Sequence, residues 1–186
     1  MKERLVKGSN VMDVVRLLKN HEKQHELADL GEYERQLLTR RIAATTWYSL
    51  QVFDSLLQCA HRYVYDGSEA AGQRMGRRFA QRLLEGDEST VVAPTDVLGT
   101  LRLMVPRWHD HFNFGEMVIT PQGEHGARIQ LMGYPDMSAC HGQCIVGWAL
   151  EAIEKAGADG ARARIEERPG MHNSVLTFSV EWGVPN

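Results

Sequence analysis

The spacing of apolar residues divides the chain into two halves. Up to residue 113, apolar residues recur every three or four positions, which is the period of an amphipathic α-helix. After Gly115, apolar and polar residues alternate in four short segments, which is the period of a β-strand. The change of period predicts a helical half over about 1–113 and a sheet-and-helix half over about 114–186.

Apolar stripes in the first half predict helices near residues 11–18, 45–60, 71–83 and 98–112, the last bent or ended near Pro106. The charged stretch 20–41 predicts surface helices broken at Gly31. Capping residues are expected just before three of these helices. They are Ser9 or Asn10, Thr45 or Thr46, and Thr95-Asp96.

In the second half, alternation predicts strands around residues 117–119, 129–131, 161–165 and 176–182. The loop 122–126 is typical of a hairpin, so the first two strands are expected to be antiparallel neighbours. Between the second and third strands, residues 138–156 form one long helix that is apolar around most of its circumference. The sequence therefore predicts an α+β fold: an N-terminal helical layer packed on a four-stranded antiparallel sheet (strand-strand-helix-strand-strand) with one long buried helix.

Length and composition favour a single domain over residues 1–186. The chain is 43% hydrophobic and 24% charged with a net charge of -3, which gives no reason to expect nucleic acid as a partner. No apolar run approaches the roughly 20 residues of a membrane span, and the first residues lack the apolar region of a signal peptide. Three cysteines are too few for a secreted disulfide framework, so a cytoplasmic location is expected.

One narrow row of the long helix carries Cys140, Cys144, Gly147 and Glu151, because each step along an α-helix turns by about 100°. Small residues in a row allow a second helix or a second subunit to come close. Cys140, Gly147 and Glu151 are therefore candidate interface residues of a homodimer. Alternatively, the two thiols hold a metal or form a redox pair, with His172 as a conceivable third ligand.

Residues 108–114 alternate aromatic rings with imidazoles where the last helix of the first half meets the first strand. Such clusters can line an apolar pocket with a few polar groups. We predict a ligand pocket between the sheet and the long helix, with Trp108, His111, Cys144 and Trp148 as its binding residues. The alternative is that Trp108 and Phe112 only pack in the core.

The segment His21-Glu22-Lys23-Gln24-His25 matches the pattern in which two histidines one helical turn apart hold zinc and a glutamate acts as base. This pattern predicts a zinc-dependent hydrolase. The charged residues in and around the segment favour instead a solvated surface helix without metal.

Several short motifs resemble those of a known family. They are Val6-Lys7-Gly8, Thr46-Trp47-Tyr48, Gly72 with Gly76-Arg77, Val105-Pro106, Phe112-Asn113-Phe114-Gly115, Gly133-Tyr134-Pro135 and Phe178-Ser179-Val180-Glu181-Trp182. In these the chain resembles a family of myxobacterial proteins of about this length, related to heme-nitric-oxide-binding, vinyl-reductase-type and TRAPP-like domains. The resemblance implies a helical half on an antiparallel sheet, often dimeric, acting as a sensory or scaffolding module and not as an enzyme.

The resemblance also bears on cofactors. Heme sensors of this superfamily use a proximal histidine on the helix before the sheet, for which His109 and His111 are candidates, and a Tyr-x-Ser-x-Arg signature after the second strand. Here Tyr134 is followed by Asp136 and Ser138 at the serine and arginine positions. Phenol sensors of the vinyl-reductase type hold zinc with late cysteines, and this chain has none after Cys144. No cofactor is expected, with heme and zinc as open alternatives.

Taken together, the sequence favours a non-catalytic cytoplasmic module that dimerises and binds a small apolar ligand or a protein partner. The zinc-dependent hydrolase is the first alternative. A heme-based gas sensor is the second.

Overall fold

A computed structural model describes residues 3–21, 27, 29–86, 91–170 and 173–183. Its helices are α1 (Gly8–Lys19), α2 (Glu32–Thr39), α3 (Leu50–Tyr63), α4 (Glu69–Leu84), α5 (Val97–His111) and α6 (Ala139–Lys155). Its strands are β1 (Leu5–Lys7), β2 (Trp47–Ser49), β3 (Glu116–Pro121), β4 (Gly126–Met132), β5 (Asp159–Glu167) and β6 (Leu176–Gly183). The α+β class is confirmed.

The main sheet has the order β3-β4-β6-β5, and every neighbouring pair is antiparallel. Strands β3 and β4 form the antiparallel hairpin predicted from the loop 122–126, with Ile119 opposite Ile129. Along β4 and β6 the alternation sends Ile129, Leu131 and Phe178 into the core. The predicted sequence of strand-strand-helix-strand-strand is therefore confirmed.

A two-stranded sheet of β1 and β2 was not predicted. Each strand has three residues, too few to show a period, and they pair antiparallel across about 40 residues of chain. This sheet also changes the start of α1. The helix begins at Gly8 with Lys7 as its N-cap, and the backbone N–H groups of Gly8 and Ser9 donate to the loop before β2. Capping by Ser9 or Asn10 was thus wrong, because backbone carbonyls already satisfy these donors.

Capping of the other helices follows the sequence more closely. Ser49, not Thr45 or Thr46, caps α3, because residues 47–49 are held in β2. Asp96 caps α5 as predicted, with its carboxylate 2.7 Å from the Gly99 nitrogen. Helix α5 does not end at Pro106, which lies exposed inside it. Water can therefore reach the carbonyl that loses its helical partner to this proline.

Helices α4 and α6 approach until their backbones touch. A Cβ on Gly76 would overlap the carbonyl of Cys144, and a Cβ on Gly147 would overlap the carbonyl of Gln73. Both clashes are with backbone atoms, which a side-chain rotation cannot relieve. The row with Cys140, Gly147 and Glu151 is therefore covered by α4 of the same chain. The close approach predicted from Gly147 is therefore to a second helix of the same chain. Cys140, Gly147 and Glu151 are already buried within the single chain.

Arginines on the outer side of α4 are engaged within the chain. Arg77 lies 2.5 Å from a carboxylate oxygen of Glu154 and 3.4 Å from Glu151 on α6. Arg82 lies 2.7 Å from Asp13 on α1. These ion pairs join α4 to α6 and to α1.

Buried apolar residues from both halves of the chain form one contiguous core. Among the residues described, no helix is both long and apolar enough to cross a membrane.

Candidate functional site

A cavity of about 120 Å³ lies where the helical half meets α6. Helices α1, α3, α4, α5 and α6 all contribute to its wall, whereas the sheet contributes Met117 alone. The pocket was predicted between the sheet and the long helix, and that position was wrong. Because α6 lies between the sheet and the other helices, its wide apolar circumference serves the core on one side and the cavity on the other.

The four predicted binding residues, Trp108, His111, Cys144 and Trp148, all line this one cavity. Helix α5 presents the first two and α6 the last two, from opposite sides. The structure thus brings them together, and their binding of a ligand stays a prediction. The further lining residues are mostly apolar: Phe53, Leu57, Gly76, Phe79, Leu83, Met104, Phe112, Met117 and Ile145, with Asn10, Asp13, Arg107 and His141 as the polar ones.

Six rings pack into an aromatic cluster beside the cavity: Phe53, Trp108, Phe112, Phe114, Tyr134 and His141. Trp108 stacks on Phe112 with 4.1 Å between ring centroids, and its indole Nε1 donates to the Phe114 carbonyl at 2.7 Å. Trp108 and Phe112 therefore pack inward as predicted. Both residues also line the cavity. His109 is exposed and does not line it.

At the centre of the aromatic cluster, the hydroxyl of Tyr134 and Nδ1 of His141 are 2.7 Å apart. Both side chains are almost completely buried, with 1% and 3% exposure. Burial lowers the pKa of His141 to about 3, because charging the ring would leave an ion without water. His141 is thus neutral at physiological pH. Its imidazole contacts Phe53 and Phe112 edge-on or tilted, at 5.2 and 5.8 Å between centroids.

His141 was not predicted as a site residue. Its position three residues after the helix cap Ser138 marks only the first turn of α6, and helical spacing groups it with apolar residues. Tyr134 was noted for the heme signature, but no local pattern joins it to His141. The pair is created by the turn between β4 and α6.

Polar side chains from α1 and the end of α5 also reach the cavity. The Oδ1 atom of Asn10 lies 3.1 Å from Nδ1 of His111. Asp13, only 5% exposed, pairs with Arg82 and Arg16. Burial raises the pKa of its carboxyl, and the nearby arginines oppose that rise. These groups satisfy one another, so the cavity offers a ligand little net charge.

Both cysteines of α6 are buried and reduced. Burial, followed by a hydrogen bond with Cys140, raises the pKa of the Cys144 thiol well above its usual range. A protonated thiol is neither a good nucleophile nor a metal ligand, because both roles require the thiolate. Among the described residues no three His, Cys, Asp or Glu side chains come close enough to hold a metal ion. His172 lies outside those residues.

The zinc-protease pattern also falls largely outside the part of the chain that the structure describes. Of its residues only His21 is described, directly after the last turn of α1. The geometry of the pattern is therefore not defined.

Comparison with known proteins identifies the fold. No protein-family model matches the sequence, and the curated proteins give no match. Among solved structures, an Fe(II) unliganded H-NOX protein variant from K. algicida has 11% identity and a TM-score of 0.69, over 95% of this chain and 96% of that one. An oxygen-binding H-NOX domain related to soluble guanylate cyclases has 10% identity and a TM-score of 0.66, covering 96% of each chain. An H-NOX structure bearing on the mechanism of activation has 11% identity and a TM-score of 0.67, over 97% and 98%.

This chain therefore has a heme-nitric-oxide-binding-like fold over nearly its whole length. The structural likeness confirms the heme-nitric-oxide-binding-like fold expected from the resemblance. At 10–11% identity the likeness establishes the fold and leaves the ligand open.

Heme can be tested against the residues present. The cavity of about 120 Å³ is smaller than the 150 Å³ of an engineered cavity that binds benzene, and far below the roughly 300–1,000 Å³ of typical ligand pockets. At the signature positions, Asp136 is exposed beside Arg4, and Ser138 caps α6 and donates to Asp54. The hydroxyl of Tyr134 is hydrogen-bonded to Nδ1 of His141. These residues do not fit a porphyrin with its carboxylates.

Proposed function

We propose that this protein is a non-catalytic sensory module whose cavity binds a small, neutral, largely apolar molecule. The observation that carries the proposal is the cavity itself, at the junction of five helices and lined by the four residues chosen from the sequence. Its position supports a sensory role. A ligand there contacts both halves of the chain, so its binding energy depends on how they pack.

The size of the cavity limits the ligand. A void of about 120 Å³ among apolar side chains has room for a molecule near the size of one aromatic ring. The charged lining residues are Asp13 and Arg107, and each is already paired with side chains of opposite charge, which favours a neutral molecule over an ion. The proposal therefore specifies a compact neutral ligand.

Benzene is the first probe of this proposal. At ten times its dissociation constant it should raise the free energy of unfolding by about 1.4 kcal/mol, and Tm by about 3–6 °C. Leu57→Phe should abolish that rise, since Leu57 lines the cavity and the larger ring would fill it. The variant itself should stay within about 1 kcal/mol of the parent, because the void accepts the added atoms. Calorimetry with and without benzene measures both quantities.

Leu56→Phe is the matched control. Leu56 is fully buried on the same helix but does not line the cavity. Overpacking should destabilise this variant by about 1–3 kcal/mol while benzene binding persists. If benzene leaves the Tm of the parent protein unchanged, or if Leu57→Phe binds it as well as Leu56→Phe does, the proposed cavity function is wrong.

Heme-based gas sensing is the second candidate, favoured by the fold shared with Fe(II) and oxygen-bound H-NOX structures. It requires the cavity to open and an axial ligand such as His111 to release Asn10. Titration with hemin followed by absorbance separates the two candidates. The first predicts no stoichiometric Soret band. A Soret band that His111→Ala removes would favour the second.

Dimerisation is a separate part of the proposal. Because α4 covers Cys140, Gly147 and Glu151, a homodimer has to form through another surface. Native mass spectrometry of gently purified protein measures the oligomeric state and any retained small molecule together. A retained molecule supports the sensor, whereas a dimer without one supports a protein-interaction scaffold.

A further inference from the structure

The Tyr134–His141 pair has a definite proton arrangement. Tyr134 is 1% exposed, and its hydroxyl has no described partner other than His141. A buried hydroxyl proton needs an acceptor, since an unsatisfied donor costs about 1–3 kcal/mol. Nδ1 of His141 is the acceptor within reach. The hydroxyl therefore donates to Nδ1, and this nitrogen carries no hydrogen.

A neutral imidazole carries one ring hydrogen, so in His141 it is on Nε2. The imidazole lines the cavity, and no described residue forms a second hydrogen bond with it. The residue is only 3% exposed, and among the described residues no fully enclosed side-chain nitrogen lacks a hydrogen bond, so Nε2 borders the open space of the cavity. Nε2–H is thus a donor held at the wall of an apolar cavity without a protein acceptor.

From this arrangement, and resting on the proposed function, we infer that the ligand carries one hydrogen-bond acceptor and that Nε2–H of His141 donates to it. Tyr134 acts as a positioning residue, because its hydroxyl fixes the tautomer that points the hydrogen away from Nδ1. The ligand class is then a neutral molecule of about one ring with a single nitrogen or oxygen acceptor. A pure hydrocarbon fits the volume but leaves the donor unpaired.

Benzene and pyridine form a matched pair of probes, since they share a shape and differ in one ring acceptor. Their dissociation constants are measured by calorimetry at pH 8 with the parent protein and a double variant, Tyr134→Phe with His141→Phe. The double variant replaces both hydrogen-bonding partners by apolar rings, which leaves no buried group unsatisfied and preserves the packing. Benzene should therefore bind to it about as well as to the parent.

The preference for pyridine over benzene should be about five-fold smaller in the double variant than in the parent, as expected for one lost hydrogen bond of about 1 kcal/mol. An unchanged preference, with benzene still bound, would overturn this inference and leave the proposed function standing. Failure of both probes to bind the parent protein would overturn both.

Nuclear magnetic resonance tests the tautomer independently. A long-range proton–nitrogen correlation spectrum of the parent protein should show His141 as the neutral form protonated at Nε2, and addition of pyridine should shift that nitrogen selectively. In Tyr134→Phe the ring is free to exchange tautomers, so a signal from the form protonated at Nδ1 should appear. A parent protein already protonated at Nδ1 would contradict the inference.

Discussion

Replacing Gly147 with alanine is expected to lower the free energy of unfolding by about 3 kcal/mol, and Gly76→Ala by a similar amount. The added methyl group of either variant would overlap a backbone carbonyl of the facing helix, Gln73 or Cys144. Helices α4 and α6 must then separate along their whole contact. For a chain of this size the loss corresponds to a Tm lower by roughly 6–12 °C. Chemical denaturation of purified variants measures it.

Gly142→Ala is the control on the same helix. A Cβ at Gly142 would meet its nearest atoms, in Leu176 and Met137, at 3.6 Å, which is ordinary van der Waals contact. Alanine is also the better helix former by about 1 kcal/mol. This variant should be as stable as the parent or more so. If Gly147→Ala is equally harmless, α4 and α6 do not touch as described.

Lowering the pH from 7 to 5 is expected to cost about 2 kcal/mol of stability through His141 alone. Its pKa falls from 6.5 to about 3 on folding because burial disfavours the charged ring. Below pH 6.5 the unfolded chain therefore binds a proton at His141, whereas the folded protein does not bind it until the pH approaches 3. Stability is full above pH 6.5 and falls by about 1.4 kcal/mol per pH unit as the pH drops towards 3.

Two carboxyl groups act in the opposite direction at lower pH. Burial raises the pKa values of Asp13 and Asp54, so the folded protein binds those protons more readily than the unfolded chain. Their protonation adds stability as the pH falls, so the contribution of His141 is measured as the difference between the parent and a variant without this histidine. Urea denaturation at pH 7, 6 and 5 of the parent and of Tyr134→Phe with His141→Phe gives the comparison. The double variant should lose about 2 kcal/mol less, and an equal loss in both proteins would show that His141 titrates normally.

The two predictions depend on different physical causes and can fail separately. The Gly147 variant tests the distance between the backbones of α4 and α6. The His141 variant tests whether the imidazole is buried away from water. A sensor of a small apolar ligand needs both: a rigid contact between α4 and α6, and a site from which water is excluded. Asp13, which lines the cavity, joins α1 to α4 through its ion pair with Arg82.

Much of the fold could be predicted because it follows from short-range periodicity. The alternation at Ile129, Leu131 and Phe178 defined the central strands, since each inward residue is buried. The wide apolar circumference of α6 marked it as a buried helix. The cap of a helix was predictable where one side chain accepts the backbone hydrogen bond, as Asp96 does. The prediction failed at the start of α1, where backbone carbonyls accept these bonds instead.

The sequence by itself therefore predicted the main helices, the four strands of the main sheet and the antiparallel pairing of β3 with β4. It also singled out four residues that line one cavity: Trp108, His111, Cys144 and Trp148. Only the tertiary structure decided which helix covers the row with Gly147, where the cavity lies, and that Tyr134 meets His141. The physical reason is range: periodicity and capping act within a few residues, whereas a backbone contact, a void and a buried hydrogen bond each depend on segments that only folding brings together.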